Sequence, residues 1–135
     1  MWDLITDEKS IETKDLRCEI QNDDILQIKY KDNCYVDTKI AEHVIRFMSI
    51  LLKNKPLPVL MNMLEMGGIS LKASYLLMNY LSKNVPQPVA FVLRNQTKAV
   101  IILVLLKIKR LIQPMRYFCG MKSAKIWLKR GIVLN

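Results

Sequence analysis

The stretch from Pro58 to Ser70 constrains the fold of this chain most, because it joins an apolar strand pattern to the start of a helix. Its first half is short and apolar and follows two closely spaced prolines, which predicts a strand buried on both faces. The pair Gly67-Gly68 then predicts a turn, and Ser70 is suited to cap the helical pattern that follows. In α/β proteins, a strand that leads into a helix N-terminus commonly binds phosphate, carboxylate or a regulatory partner.

The preceding residues predict an antiparallel hairpin with one face in water. Apolar and polar residues alternate through residues 16–21 and again through 26–31, and the turn Asn22-Asp23-Asp24 separates the two runs. Residues 34–36 are expected to extend the sheet briefly. Residues 1–13 are polar and mixed, and we expect a loosely held N-terminal arm there, with residues 14–135 forming a single domain.

Helix and strand patterns alternate through the rest of the chain. A helix capped by Asp37 and Thr38 is expected to end near residue 54, and a second one to run from Ser70 to residue 82. The apolar run 89–93 predicts a parallel strand, and residues 115–118 a short strand before a last helix. The predicted order is β-β-α-β-α-β-α-β-α, an α/β fold with a mixed sheet of about five strands covered by helices.

Residues 97–111 carry the most apolar segment of the chain. Their β-branched residues favour a strand, but the length of the pattern and its polar start favour a helix, which is our prediction. Such a helix could be core, could form the seam of a homodimer, or could face lipid with its basic residues at the headgroup level. The residues concerned are Val100, Ile101, Val104, Leu105, Lys107, Ile108, Lys109 and Arg110.

The composition argues against several classes of protein. The three cysteines are dispersed and only His43 could supply an imidazole, so we expect no metal site, no cofactor and no enzymatic activity. The longest apolar run has eight residues, far fewer than the roughly 20 of a membrane span. With no charged-then-apolar leader at the start, a cytoplasmic protein without a transmembrane segment is the expectation.

Charge divides the chain into two unequal halves. All twelve acidic residues lie at or before Glu65, so residues 1–67, with nine Lys and Arg, carry a net −3, whereas residues 68–135 carry +12. This asymmetry suits an anionic partner such as lipid or an acidic protein, and it equally suits pairing of the halves within the fold or between two copies. Nucleic acid is disfavoured, because no stacking platform or recognition-helix motif accompanies the basic half.

The end of the chain resembles a known family. The strand Pro114-Met115-Arg116-Tyr117-Phe118 and the helix segment Ala124-Lys125-Ile126-Trp127-Leu128 resemble the close of SpoIIAA-like proteins, in the STAS/SEC14-type group of small bacterial α/β domains. The hairpin strand Ile25 to Tyr30, the strand Val59 to Met63 and Gly68-Ile69-Ser70 before a helix agree with it. The resemblance covers residues 16–130 and implies a SpoIIAA-like fold.

Two departures bear on function. STAS-type antagonists carry an Asp-Ser pair at the start of the second helix, where the serine is phosphorylated, whereas this chain has Ser70-Leu71. Asn62 stands where such proteins often have an aspartate. The resemblance therefore implies an interaction module without the phosphoserine switch, with a contact surface at Glu65, Gly67, Gly68, Ser70 and Lys72. The alternative expectation is binding of an anionic membrane surface through residues 97–111 and their basic flank.

Overall fold

The computed structural model describes residues 5–6, 9–53, 55–94 and 114–134. Within them the chain forms nine strands and three helices. The strands are β1 Ile5–Thr6, β2 Ser10–Glu12, β3 Leu16–Ile20, β4 Leu26–Tyr30, β5 Tyr35–Val36, β6 Val59–Asn62, β7 Gly68–Ile69, β8 Val89–Val92 and β9 Met115–Phe118. The helices are α1 Thr38–Leu51, α2 Leu71–Asn84 and α3 Met121–Leu134.

Seven strands form one mixed sheet in the order β1-β2-β3-β4-β6-β8-β9. The first three pairings are antiparallel and the remaining three, from β4 to β9, are parallel. The α/β class, the hairpin of β3 and β4, and the parallel strands β8 and β9 are confirmed. The strand count is higher than the five expected, because two further strands precede the hairpin and a two-stranded sheet, β5 with β7, stands apart.

Two local expectations differ from the structure. Ser10–Glu12 pairs with β3, and Ser10 and Ile11 are buried, so this part of the predicted arm is a strand of the sheet. Its short alternation is too brief to be recognised from the sequence alone. Residues 35–36 do not extend the main sheet as predicted. They pair with Gly68–Ile69 instead, because the turn before them carries the chain away from β4.

Helices cover both faces of the sheet, and the alternation of strand residues separates two apolar clusters. Met61 and Phe91 face α1 and α2, in a large cluster with Phe47 and Leu77. Their neighbours along the same strands face the other way, toward α3. This second cluster contains Ile25, Leu60, Ala90, Val92, Ala124 and Leu128. Strands β6 and β8 are therefore buried on both faces, as the unbroken apolar runs predict.

Candidate functional site

Two turns pack back to back at the carboxyl end of strands β4 and β6. Asn33, which has a φ of 60°, donates its backbone N–H to the carbonyl oxygen of Glu65 at 2.8 Å, and Gly67 donates to the carbonyl oxygen of Cys34 at 2.8 Å. A Cβ on Gly67 would lie 2.7 Å from the carbonyl oxygen of Asn33. Glycine is required at position 67 by this close approach of two backbones.

The two-stranded sheet brings the N-termini of α1 and α2 side by side. Tyr35 pairs with Gly68 and Val36 with Ile69, and each strand leads through one residue into its helix. That residue is Asp37 for α1, whose Oδ1 accepts the N–H of Ile40 at 2.9 Å. For α2 it is Ser70, whose Oγ accepts the N–H of Ala73 at 3.0 Å. Both predicted N-caps are confirmed, and each satisfies a backbone donor that would otherwise lack a partner.

The five residues predicted as an interaction surface lie along this one turn and the start of α2. Glu65, Gly67 and Lys72 are exposed, while Gly68 and Ser70 are half-buried. The chain thus brings them to one corner of the fold, where the carboxyl ends of the parallel strands meet. Their role in binding stays a prediction.

Three exposed apolar residues occupy the same corner, and sequence reasoning missed them. Tyr35 is 57% exposed, Leu71 50% and Tyr75 46%. A Cβ on Gly68 would lie 3.1 Å from Cδ1 of Tyr35, so that ring lies against the turn, and Leu71 and Tyr75 are one helical turn apart at the start of α2. We call Tyr35, Leu71 and Tyr75 the apolar corner. For Leu71 and Tyr75 the available signal was their position outside the Ala73–Leu77–Leu81 stripe of α2.

Asn62, at the end of β6, has a structural role at this edge. Its side chain is 7% exposed, and its Oδ1 accepts the backbone N–H of Leu64 at 3.2 Å. The guanidinium Nε of Arg94 donates to the carbonyl oxygen of Leu64. The amide therefore fixes the turn after β6, and the position has no carboxylate that could act as an acid, a base or a metal ligand.

The chemically reactive side chains are mostly in the core. Burial raises the pKa of Cys18 to about 12 and that of Cys34 to about 11, so both thiols stay protonated near neutral pH. Burial also raises the pKa of Tyr30 well above its usual value. Among the residues that the structure describes, no group of three or more His, Cys, Asp and Glu side chains could hold a metal ion.

His43 packs within α1. Its ring stacks on Phe47, with centroids 6.2 Å apart and planes 27° from parallel. Burial is the main cause that lowers its pKa, and Lys39 and Arg46 lower it further, against opposing effects of Asp15 and Glu42. The imidazole therefore packs on an aromatic ring of its own helix.

The predicted helix over residues 97–111, the candidate lipid-binding or dimer segment, lies outside the described residues. No helix in the described part of the chain is long and apolar enough to cross a membrane.

Comparison with known proteins agrees with the fold. This chain is similar in structure to an uncharacterized DUF3478-family protein with a SpoIIAA-like fold from Shewanella loihica PV-4, whose crystal structure has 2.25 Å resolution. The match has a TM-score of 0.57 at 18% identity, and it covers 84% of this chain and 91% of that chain. The SpoIIAA-like fold implied by the sequence resemblance is thereby confirmed.

Family membership rests on a separate comparison. A search of curated proteins gives no match. The family model described as "Domain of unknown function (DUF7793)" matches residues 18–131, which is most of the chain. This protein belongs to the DUF7793 family and has a SpoIIAA-like fold.

Proposed function

We propose that this protein is a non-catalytic interaction module that binds a protein partner at the apolar corner and the adjoining turn, residues 65–72. The observation that carries the proposal is the exposure of Tyr35, Leu71 and Tyr75 on a rigid backbone frame. Apolar side chains grouped on one surface commonly mark a contact with another protein. Tyrosine is also among the residues that dominate the energy of protein interfaces.

The frame around these side chains is pre-organised. The bonds from Asn33 to Glu65 and from Gly67 to Cys34 hold the two turns together, and β5 pairs with β7 beyond them. A surface built on paired backbone loses little conformational freedom when it binds, which favours affinity. The charged residues Glu65 and Lys72 lie beside the apolar corner, where they would form the polar rim of an interface.

The module works without a phosphoserine switch at the start of α2. Leu71 occupies the position that matches the phosphorylated serine of STAS-type antagonists, and it has no hydroxyl. Ser70 already serves as the cap of α2, because its Oγ accepts the N–H of Ala73. Partner binding at this surface would therefore be constitutive, governed by the amounts of the two proteins.

Crosslinking in cells of the source organism tests this proposal. A photoreactive phenylalanine analogue replaces Leu71, and the matched control places it at Ile50, an equally exposed apolar residue of α1. We expect a specific crosslinked protein from position 71 that position 50 does not give. Mass spectrometry identifies that protein for measurements with purified components. Identical crosslinks from both positions, or none from position 71, would contradict the proposal.

A second candidate rests on the sequence of residues 97–111, whose apolar run is followed by Lys107, Lys109 and Arg110. This segment would bind an anionic membrane surface or an apolar ligand. Native mass spectrometry of protein purified from its host tests the candidate directly. A co-purifying lipid is the expected result, and a clean mass of the protein alone counts against it.

A further inference from the structure

The outer surface of α3 and strand β9 carries positive charge with little compensation from within the fold. Its basic residues are Arg116, Lys122, Lys125, Lys129 and Arg130, and the chain has no acidic residue after Glu65. Within the part of the chain that the structure describes, the one ion pair of this group joins Lys129 to Asp23, at 3.7 Å. By contrast, Arg17 on the hairpin bonds two carboxylates, those of Glu12 and Glu19. The surface therefore fits an external anion.

The orientation of α3 presents these cations on one face. Ala124 and Leu128 are fully buried against the sheet, on the face opposite α1 and α2. Lys122, Lys129 and Arg130 are exposed on the other side of the same helix. At 1.5 Å per residue, the cationic face from position 122 to position 130 is about 12 Å long. Such a length allows several basic side chains to contact one charged surface together.

An apolar residue lies among the cations. Ile126 is 46% exposed and is four residues from both Lys122 and Arg130, so the three share the outer face. Trp127, half-buried beside it, packs against Phe118 with ring centroids 5.7 Å apart. The guanidinium of Arg116 lies over the other aromatic ring of this pair, 5.6 Å from the centroid of Phe118. Basic side chains around one exposed apolar residue suit a surface that contacts anionic headgroups, because long Lys and Arg side chains can reach the phosphates while the apolar residue points toward the acyl chains.

We propose that this face, defined by Lys122, Lys125, Ile126, Lys129 and Arg130, docks on a bilayer that contains anionic phospholipid. The cations bind the phosphate headgroups, and Ile126 reaches toward the acyl boundary. Nucleic acid fits the surface less well. Ser123 is the one uncharged polar residue among residues 121–130, and the rings of Phe118 and Trp127 pack on each other rather than forming a stacking platform.

This surface of α3 differs from the apolar corner and from residues 97–111. The apolar corner lies where α1 and α2 begin, and both of those helices cover the opposite face of the sheet. The segment 97–111 takes no part in the proposed contact. A variant that loses lipid binding at α3 should therefore still bind a protein partner at the apolar corner. A variant that loses the partner at the apolar corner should still bind lipid.

Vesicle binding with charge-matched variants tests the proposal. The full chain is mixed with vesicles of phosphatidylcholine alone, or of phosphatidylcholine with about a third phosphatidylglycerol, at low and high salt. The test variant is K122Q/K125Q/R130Q, which spares Lys129 and its ion pair. The control, K39Q/K53Q/K83Q, removes the same charge from exposed positions on α1, α2 and the residue after α1's cap. Circular dichroism and thermal melting check that both variants fold.

We expect the wild-type protein to bind vesicles that contain phosphatidylglycerol and not vesicles of phosphatidylcholine. High salt should abolish this binding. The test variant should bind at least tenfold more weakly, since each basic residue near a membrane contributes substantially, and the control should change by less than twofold. Ile126→Ser should weaken binding several-fold at unchanged charge. Equal losses in the two triple variants would overturn the proposal, because they would indicate a response to net charge alone.

Three further outcomes would also overturn it. If K122Q/K125Q/R130Q bound vesicles as well as wild type and K107Q/K109Q/R110Q did not bind them, the membrane contact would be assigned to residues 97–111. Tighter binding to a 20-base-pair DNA duplex than to vesicles at equal salt would indicate a nucleic-acid surface. Salt-sensitive self-association without vesicle binding, lost in the α3 variant, would identify a second copy of the chain as the partner.

Discussion

Gly67 and Asn33 approach so closely that no side chain fits between them. A Cβ on Gly67 would lie 2.7 Å from the carbonyl oxygen of Asn33 and 2.9 Å from its carbonyl carbon. A Cβ on the neighbouring Gly68 would instead lie 3.1 Å from Cδ1 of the Tyr35 ring. That ring is exposed and can move. The two adjacent glycines thus have different roles. The backbone of Asn33 leaves no room for a side chain at position 67, whereas a movable side chain is what a Cβ at position 68 would meet.

Alanine at these two positions should therefore have unequal effects. Gly67→Ala forces two hydrogen-bonded turns apart and should lower the free energy of unfolding by about 1–3 kcal/mol, the usual range for an overpacked contact. Gly68→Ala, the matched control, should cost less than half as much, because the Tyr35 ring can shift. Urea unfolding followed by circular dichroism measures both variants. A cost at Gly68 equal to that at Gly67 would be inconsistent with the described packing.

Removal of the cap of α2 should destabilise the protein measurably. Ser70→Ala leaves the N–H of Ala73 without its side-chain acceptor and should cost about 1 kcal/mol, whereas Ser70→Asp should retain most of the stability. Ser49→Ala is the control, since Ser49 is exposed and its hydroxyl donates to the carbonyl oxygen of Arg46 within α1. It should change stability by less than about 0.5 kcal/mol. The shift in the urea midpoint distinguishes these cases.

His43 should titrate below its ordinary value of about 6.5, because burial disfavours its charged form. Its pKa is then lower in the folded protein than in the unfolded chain, so acid favours the unfolded state. Well above pH 6.5, His43 has no effect on the free energy of unfolding. As the pH falls below that value, protonation of His43 lowers the free energy of unfolding. As the protein has a single histidine, one imidazole NMR signal reports the midpoint. A midpoint at or above 6.5 would refute this account of its packing.

One cysteine of three should react quickly with a thiol reagent in the folded protein. Cys119 is exposed, while Cys18 is fully buried and Cys34 is 8% exposed. Burial also raises the pKa of the two core thiols, which lowers the fraction of reactive thiolate. Ellman's reagent at pH 8 should modify one equivalent rapidly and three in guanidinium chloride. In Cys119→Ser the rapid phase should disappear, and a remaining fast equivalent would show that a core thiol is accessible.

The regular parts of the fold could be predicted from the sequence because their signals are local. The alternation around Cys18 and Ile28 specifies the hairpin, and the side chains of Asp37 and Ser70 mark where two helices begin. The short strands could not be predicted. Tyr35 and Gly68 pair because two turns meet in space, and two-residue strands have too little periodicity to be recognised.

The site was only partly predictable for a related reason. The turn at Gly67 and the cap at Ser70 are visible as residue types, so their neighbourhood could be identified. Apolar residues such as Leu71 and Tyr75 are normally assigned to the core, and their exposure depends on how far α1 and the sheet extend around α2. That extent is a property of tertiary packing.

Binding of a protein partner at the apolar corner is tested most directly by the affinity of the crosslinked protein for variants of that corner. With purified components, isothermal titration calorimetry compares wild type, Leu71→Glu and the control Ile50→Glu, after thermal melting has shown that both variants fold. We expect at least a tenfold loss of affinity for Leu71→Glu and less than a twofold change for Ile50→Glu. Equal affinities of wild type and Leu71→Glu would contradict it.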